Sequence, residues 1–248
     1  WTTMILVMSY LFEKLFLRLL DMAEERLKKI RVSKTEKPNE VKGIPTQERQ
    51  VLQQDIVLMH VSKSYGDHHV IQDLSQTFSC GQITCLMAPS GSGKTTLLRL
   101  LMGLEVPDSG SIAGLEGRKK SAVFQDQIFG EDLSVYANIR IMRKRKLFES
   151  ESEKQEYERI KAELEKVGLP GCIDQKIKEL SFGMRQRVAL VRAFYADWDV
   201  LFLDEPFRGL DQSTRELVME YTRRKCIGKQ VLFITHEEEE KEAMERYS

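Results

Sequence analysis

Residues 83 to 96, ITCLMAPSGSGKTT, set a lysine and two threonines directly after a glycine-rich turn, an order of groups suited to holding a chain of phosphates. Gly91 and Gly93 let successive backbone N–H groups turn toward one anion with no Cβ in the way. Pro89, Ser90 and Ser92 make up the rest of the loop, which opens on Ala88 where the usual template has glycine. The Lys94 ammonium can reach the β- and γ-phosphates, the Thr95 hydroxyl is placed for Mg²⁺, and Thr96 follows in the same turn. The ligand class expected is therefore a nucleotide with its magnesium.

Four more groups recur at the ends of apolar runs. SAVFQD delivers Gln125, a neutral amide able to accept from a metal-bound water and to donate to a phosphate oxygen. VLFLDEP reads as a fully buried strand carrying Asp204 and Glu205 at its carboxyl end, and VLFIT delivers His236 to the same edge. Ligands sit at that edge of a parallel sheet. Asp204 is expected to hold the magnesium shell, Glu205 to take a proton from an attacking water, and His236 to contact the γ-phosphate and orient that water.

The elements that must position these groups follow from the pattern around them. Ile83 to Met87 read as a buried strand, and a helix opens at Lys94 with its positive end toward the anion. Ser181 precedes a helical run and can cap it, so its hydroxyl and the following amides form a second anion site. Between Gln125 and Leu180 the sequence is mostly helical: Tyr157, Ile160, Leu164 and Val167 recur at three- and four-residue spacing, and Gly168 is placed to stop that helix. His68 and His69 are read as turn residues, and the RKRK run at 143 to 146 as a solvated face.

This order of phosphate loop, Gln125, LSFG, Asp204–Glu205 and His236 resembles the ATP-binding cassette (ABC) ATPases, from about residue 53 to the end of the chain. GMRQRVALVRA, DEPFRGLD and THEEEEKEA are similar in particular to the ATPase subunits of bacterial importers of the nitrate, sulfonate and taurine type. The resemblance implies an α/β fold: a P-loop core with a parallel sheet, an antiparallel β subdomain, and an α-helical subdomain over about 126–180 that docks on permease helices. It implies ATP and Mg²⁺ as ligands, and ATP hydrolysis that powers solute import at the cytoplasmic face of a membrane. A permease is the direct partner and an external solute-binding protein an indirect one. Tyr65 occupies the position where the family stacks an aromatic ring on adenine. Ser181 and Gly183 would serve the ATP of a second copy in a head-to-tail homodimer, with Asp211 crossing that interface. Phe182 stands where the family usually has glycine. Pointing at the interface it would crowd Ser181 and Gly183; pointing outward it would pack on a neighbouring helix or permease surface.

The balance of 38 basic and 38 acidic residues leaves no net charge and argues against a nucleic-acid partner, which calls for a concentrated basic face. Cys80, Cys85, Cys172 and Cys226 have no metal-ligand spacing and read as small buried thiols in a reducing compartment. Residues 4 to 12, MILVMSYLF, are apolar, and a basic helical stretch follows to Arg31. The expectation for 1–31 is either an amphipathic helix or the cytoplasmic exit of a membrane span, with 32–52 a polar linker and 53–248 the ATP-binding domain. Because the chain opens on Trp1 rather than Met, it is read as a fragment or processed form, with fusion to a permease as one form of it. Two other functions compete: a soluble, non-transport ABC ATPase, and a low-turnover regulatory nucleotide-binding module.

Overall fold

The computed structural model describes residues 54–87, 91–142 and 152–245, all within one compact unit, Gln47–Ser248. The readings made for residues 1–31 and 32–52, for Ala88, Pro89 and Ser90, and for the RKRK run lie outside the described residues.

Two sheets carry the fold. β1 (Ile56–Tyr65), β2 (His68–Phe78) and β4 (Ser109–Ala113) form an antiparallel sheet in the order β2-β1-β4. β3 (Ile83–Met87), β5 (Lys120–Val123), β6 (Val200–Asp204) and β7 (Gln230–Thr235) form a parallel sheet in the order β3-β7-β6-β5. Among the described residues there are also one 3-10 turn, Ile177–Glu179, and six α-helices: α1 (Lys94–Met102), α2 (Val135–Arg140), α3 (Glu153–Lys166), α4 (Phe182–Tyr195), α5 (Gln212–Cys226) and α6 (Glu238–Glu245). The expected α/β architecture, with parallel sheet, antiparallel sheet and helices, is the one observed.

The apolar runs of β6 and β7 are continuous because both faces of the central strands are covered. Leu201, Leu203, Val231 and Phe233 point into one core, shared with Ile139, Ile160, Leu164, Val188 and Leu190 of the helices. Their neighbours Val200, Phe202, Leu232 and Ile234 point the other way, onto Leu97, Leu98, Leu100 and Leu101 of α1 and onto Ile56, Leu58 and Phe78 of the antiparallel sheet. The period of two thus divides one strand between two cores. Every residue of β6 and β7 is buried, as expected. β3 differs: it is the edge strand, and only Ile83 is fully buried.

The helix over Tyr157 to Val167 is α3, capped at Ser152 by a reciprocal box with Gln155 and ended by Gly168 at φ 69°. His68 and His69 correct the turn reading. They open β2, with Tyr65 paired to His68, and the turn itself is left to Gly66 and Asp67. None of the four cysteines forms a disulfide; Cys172 and Cys226 are buried, whereas Cys80, just before the edge strand β3, and Cys85, within it, are half-buried.

Candidate functional site

The parallel order brings four carboxyl-terminal strand ends to one edge. The loop after β3 leads to Gly91–Gly93 and α1, β5 ends just before Gln125, β6 ends on Asp204 with Glu205 next, and β7 ends just before His236. A cleft of about 220 Å³ opens there, lined by Gly91, Gly93, Lys94, Thr95, Thr96, Gln125, Asp204 and Glu205. Two further lining residues, His68 and Val70, come from β2 of the other sheet. Sequence reading missed both, since their approach depends on how the two sheets meet.

Gly93 shows why the loop needs glycine. Its φ is 85°, and a Cβ there would stand 2.8 Å from Val70 Cγ1 and 2.9 Å from the Val70 carbonyl oxygen. The Gly93 carbonyl already accepts from Leu97 N–H at 2.8 Å, so α1 begins at Lys94 with the amides of its first turn exposed toward the cleft.

Thr95 Oγ1 donates to Asp204 Oδ2 at 2.8 Å, joining the start of α1 to the end of β6. Asp204 is 2 % exposed. Burial raises its carboxyl above the usual carboxylate range, outweighing the Thr95 hydrogen bond and the nearby Lys94 ammonium that act the other way.

Glu205 is the centre of the second half. Its φ of 47° is rare for a residue with a Cβ. The backbone is held there because its N–H donates to Ile234 O at 2.9 Å, and the buried Gln186 side chain of α4 donates to the Glu205 carbonyl at 3.3 Å and to that of Pro206 at 3.0 Å. One carboxylate oxygen lies 3.3 Å from His236 Nδ1 and the other 3.6 Å from Arg208 Nη1. Glu205 therefore belongs both to the phosphate-loop cleft and to an adjoining cavity of about 160 Å³ that His236 lines. In the wall of that cavity Thr235 Oγ1 donates to the buried Glu240 at 2.6 Å, and burial raises the Glu240 carboxyl.

Gln186 was not singled out in the sequence, although a signal exists. It falls on the same helical face as Leu190 and Ala193, and a polar residue in register with a buried stripe needs buried partners.

Tyr65 lies off the cleft lining, 46 % exposed, its phenol donating to Glu105 and facing the Thr96 hydroxyl. Ser181, Gly183 and Asp211 lie elsewhere on the chain. Ser181 caps α4 by accepting from Met184 N–H at 3.3 Å, as its position before a helical run predicts. The Asp211 carboxylate caps α5, accepting from Thr214 N–H at 3.0 Å, Thr214 Oγ1 at 2.7 Å and Ser213 Oγ at 2.8 Å, and these bonds hold it well below the usual carboxylate range. Phe182 turns onto Gly209 of its own chain.

Comparison with known proteins agrees with this arrangement. The family model described as ABC transporter matches residues 71–208. The chain is 37 % identical over 198 residues to a sulfate/thiosulfate import ATP-binding protein CysA of Ralstonia nicotianae, covering 75 % of this chain and 53 % of that protein. It is 38 % identical over 200 residues to the protein of that name from Synechococcus elongatus, covering 75 % and 56 %. The chain thus spans about half the length of the curated relatives it matches. Among solved structures it superposes with a TM-score of 0.62, at 23 % identity, on a metal-chelate type ABC transporter in an inward-facing conformation, over 77 % of this chain and 76 % of that one. With the strand order, the phosphate-loop turn and these matches in agreement, the chain belongs to the ABC transporter family, as part of its ATP-binding portion.

Proposed function

We propose that this chain binds MgATP where β3 turns into α1 and hydrolyses the terminal phosphate to drive import of a solute through a membrane permease. The observation that supports this reading is the convergence of Lys94, Thr95, Gln125, Asp204 and Glu205 on one cleft, with His236 3.3 Å from Glu205.

Each group has a role that its chemistry suits. Lys94, with the backbone N–H groups of Ser90, Gly91, Ser92 and Gly93 in the loop that Pro89 opens, neutralises phosphate charge, which phosphoryl transfer needs more than covalent help. Thr96 lies in the first turn of α1 and adds a hydroxyl beside the phosphates. Glu205 takes the proton of the attacking water, and His236 orients that water and the γ-phosphate. Gln125 reports their state to the helical subdomain. Thr95, Asp204 and Gln125 are the residues that would hold magnesium. The fit is good, because a buried carboxylate raised by desolvation and a hydroxyl 2.8 Å away are hard oxygen donors. When bound, the ion supplies charge neutralisation at the β- and γ-phosphates.

Ser181 and Gly183, at the amino end of α4, are proposed to complete the site of a second copy, with Asp211 at that interface and two-fold symmetry making both sites equivalent. In this reading 53–248 is the ATP-binding domain at the cytoplasmic face of the membrane, and 1–31 is a membrane-associated or permease-derived helix joined through 32–52. Among the described residues, no helix is long and apolar enough to cross a membrane. Motifs of the nitrate, sulfonate and taurine type, together with relatives named for sulfate/thiosulfate import, favour small oxoanions as the transported class.

Titration of the whole chain with MgATP, followed by phosphate-release assays, tests the core of the proposal. Lys94→Ala should weaken ATP binding itself, and undiminished affinity would count against the phosphate-loop assignment. Deleting residues 1–45 should leave a folded ATPase. Uptake of sulfate, sulfonates and nitrate by cells lacking the chain tests the solute class: unchanged uptake of all three would remove it.

A further inference from the structure

Tyr65 is tied to the loop that follows α1 by contacts that sequence reading did not foresee. Its phenol donates to one oxygen of Glu105, and the Thr96 hydroxyl faces the same phenol oxygen. The other Glu105 oxygen lies 3.7 Å from Arg99 Nη1, in the last turn of α1. The Leu104 and Glu105 amides both donate to the Arg99 carbonyl, at 2.9 and 3.4 Å, so the backbone beneath that carboxylate is fixed as well.

A second set of bonds runs alongside. Lys63 Nζ donates to the Val106 carbonyl at 2.8 Å and to Asp108 Oδ1 at 3.1 Å. Ser64 N–H donates to Asp108 Oδ2 at 2.7 Å, and Asp108 N–H to the Ser62 carbonyl at 2.9 Å. The end of β1 is thus strapped residue by residue to 105–108. The Lys63 ammonium stands 5.7 Å from the Tyr65 ring centroid, while the residue keeps 46 % of its surface open. A surface tyrosine ordinarily samples several rotamers; one held by its hydroxyl, with a cation beside the ring, samples few.

We propose that Glu105 is a positioning residue for nucleotide binding: it pins the Tyr65 ring against the helix that carries the phosphate-binding turn, so that an incoming base meets a platform already in place. This rests on the reading of Tyr65 as the base platform. Because α1 starts at the phosphates and Glu105 follows its end, the pin also fixes the distance between the base and phosphate subsites. The gain is pre-organisation, since ordering the ring before binding removes that entropy cost from the binding step.

The test titrates the full chain with MgATP and, separately, with inorganic triphosphate, which has no base. Stacking is worth enough that Tyr65→Ala should weaken ATP about tenfold or more. Glu105→Ala and Tyr65→Phe should each weaken ATP by about three- to tenfold, as expected for the net worth of one exposed hydrogen bond. Glu105→Gln keeps an acceptor for the phenol and should retain most of the affinity. Triphosphate binding should stay at the parent level throughout, and the Tyr65→Phe/Glu105→Ala double variant should bind ATP no worse than either single, since both remove one bond. If Tyr65→Ala weakens ATP while Glu105→Ala binds it like the parent, the pin is overturned and the platform stands. Parent-like ATP binding by Tyr65→Ala overturns the platform and the pin with it. Additive losses in the double variant, or an equal loss of triphosphate affinity, would place the effect of Glu105 elsewhere and overturn the proposal.

Discussion

The ring of Phe182 lies on Gly209: its Cδ1 and Cε1 are each 2.7 Å from where a Cβ on that glycine would stand. Gly209 sits in the RGLD segment just before the Asp211 cap, with φ 73°, and its carbonyl is 3.3 Å from the corresponding point on Gly183. The first turn of α4 and the RGLD loop are therefore packed together through small residues on one side and an aromatic ring on the other.

This geometry decides what Phe182→Gly does. The ring is 55 % exposed, so its contact with Gly209 is only partial. Losing it costs about 1 kcal/mol, and a glycine in the first turn of a helix adds roughly 0.5–1 kcal/mol. The melting temperature should fall by about 3–8 °C for a domain of this size. ATPase rate plotted against protein concentration should show no gain at low concentration. A rate that rises there, with unchanged stability, would mean that the ring crowds the interface instead of bracing the loop.

Gly93→Ala should be far more damaging than Gly91→Ala, although both glycines have φ near 80°. The left-handed backbone alone costs an L-residue about 1–2 kcal/mol. At Gly91 no atom of the described residues lies within 4 Å of the added Cβ, whereas at Gly93 it meets the Val70 carbonyl oxygen at 2.9 Å, and backbone cannot yield as a side chain can. The expected loss is about 1–2 kcal/mol for Gly91→Ala and about 3 kcal/mol or more for Gly93→Ala. Denaturant unfolding of the two variants checks this; equal losses would remove the Val70 contact as the cause.

Glu163 joins α3 to α5 and supplies a pH-dependent contribution to stability. Tyr221 donates to it at 2.6 Å, Lys225 lies at 2.7 Å and Lys166 at 2.8 Å. Burial would raise its carboxyl, but these partners outweigh burial and bring it from the usual 4.5 to about 2. A depressed folded value means that the ionised form favours folding: the contribution is full above about pH 4.5 and is lost as pH falls toward about 2. Glu163→Gln should lower stability by about 1–3 kcal/mol at pH 7, and the gap to the parent should narrow below pH 4.5. A gap that stays constant from pH 7 to pH 3 would show that packing, not charge, holds the two helices together.

The parts legible in the sequence were those encoded locally or by strong periodicity. β6 and β7 announced themselves as continuous apolar runs, Ser181 as a cap, Gly168 as a helix stop, and the phosphate loop by its glycines and lysine. Less legible were contacts closed by the fold over long separations. Glu105 holds a tyrosine 40 residues before it, Glu163 meets Tyr221 58 residues after it, and His68 enters the cleft only because the antiparallel sheet leans over the phosphate loop. Neither carboxylate carries a spacing that distinguishes it from a solvated charge. Gln186 lies between the two classes, since its place on an apolar stripe says that it is buried but not that it holds the Glu205 and Pro206 carbonyls.

Glu205 combines a strained backbone with the carboxylate assigned the proton transfer, and two substitutions separate these properties. Glu205→Gln keeps the shape of the side chain, but its amide cannot accept the proton of an attacking water. Turnover should fall by about 10²- to 10⁴-fold, the usual contribution of a positioned base, while ATP affinity stays near that of the parent. Glu205→Gly removes the carboxylate as well, but a glycine holds φ 47° without strain. Strain of about 1 kcal/mol or more is then relieved, against the loss of the contact with half-exposed His236 at 3.3 Å and the ion pair with half-exposed Arg208 at 3.6 Å, each worth little. The glycine variant should therefore be inactive and at least as stable as the parent, the pattern of a position where stability has been given up for chemistry. Parent-level hydrolysis by Glu205→Gln would remove the residue from the reaction. An inactive Glu205→Gly that also unfolds easily would show that the side chain supports the fold, and that the φ of 47° is a consequence of its contacts.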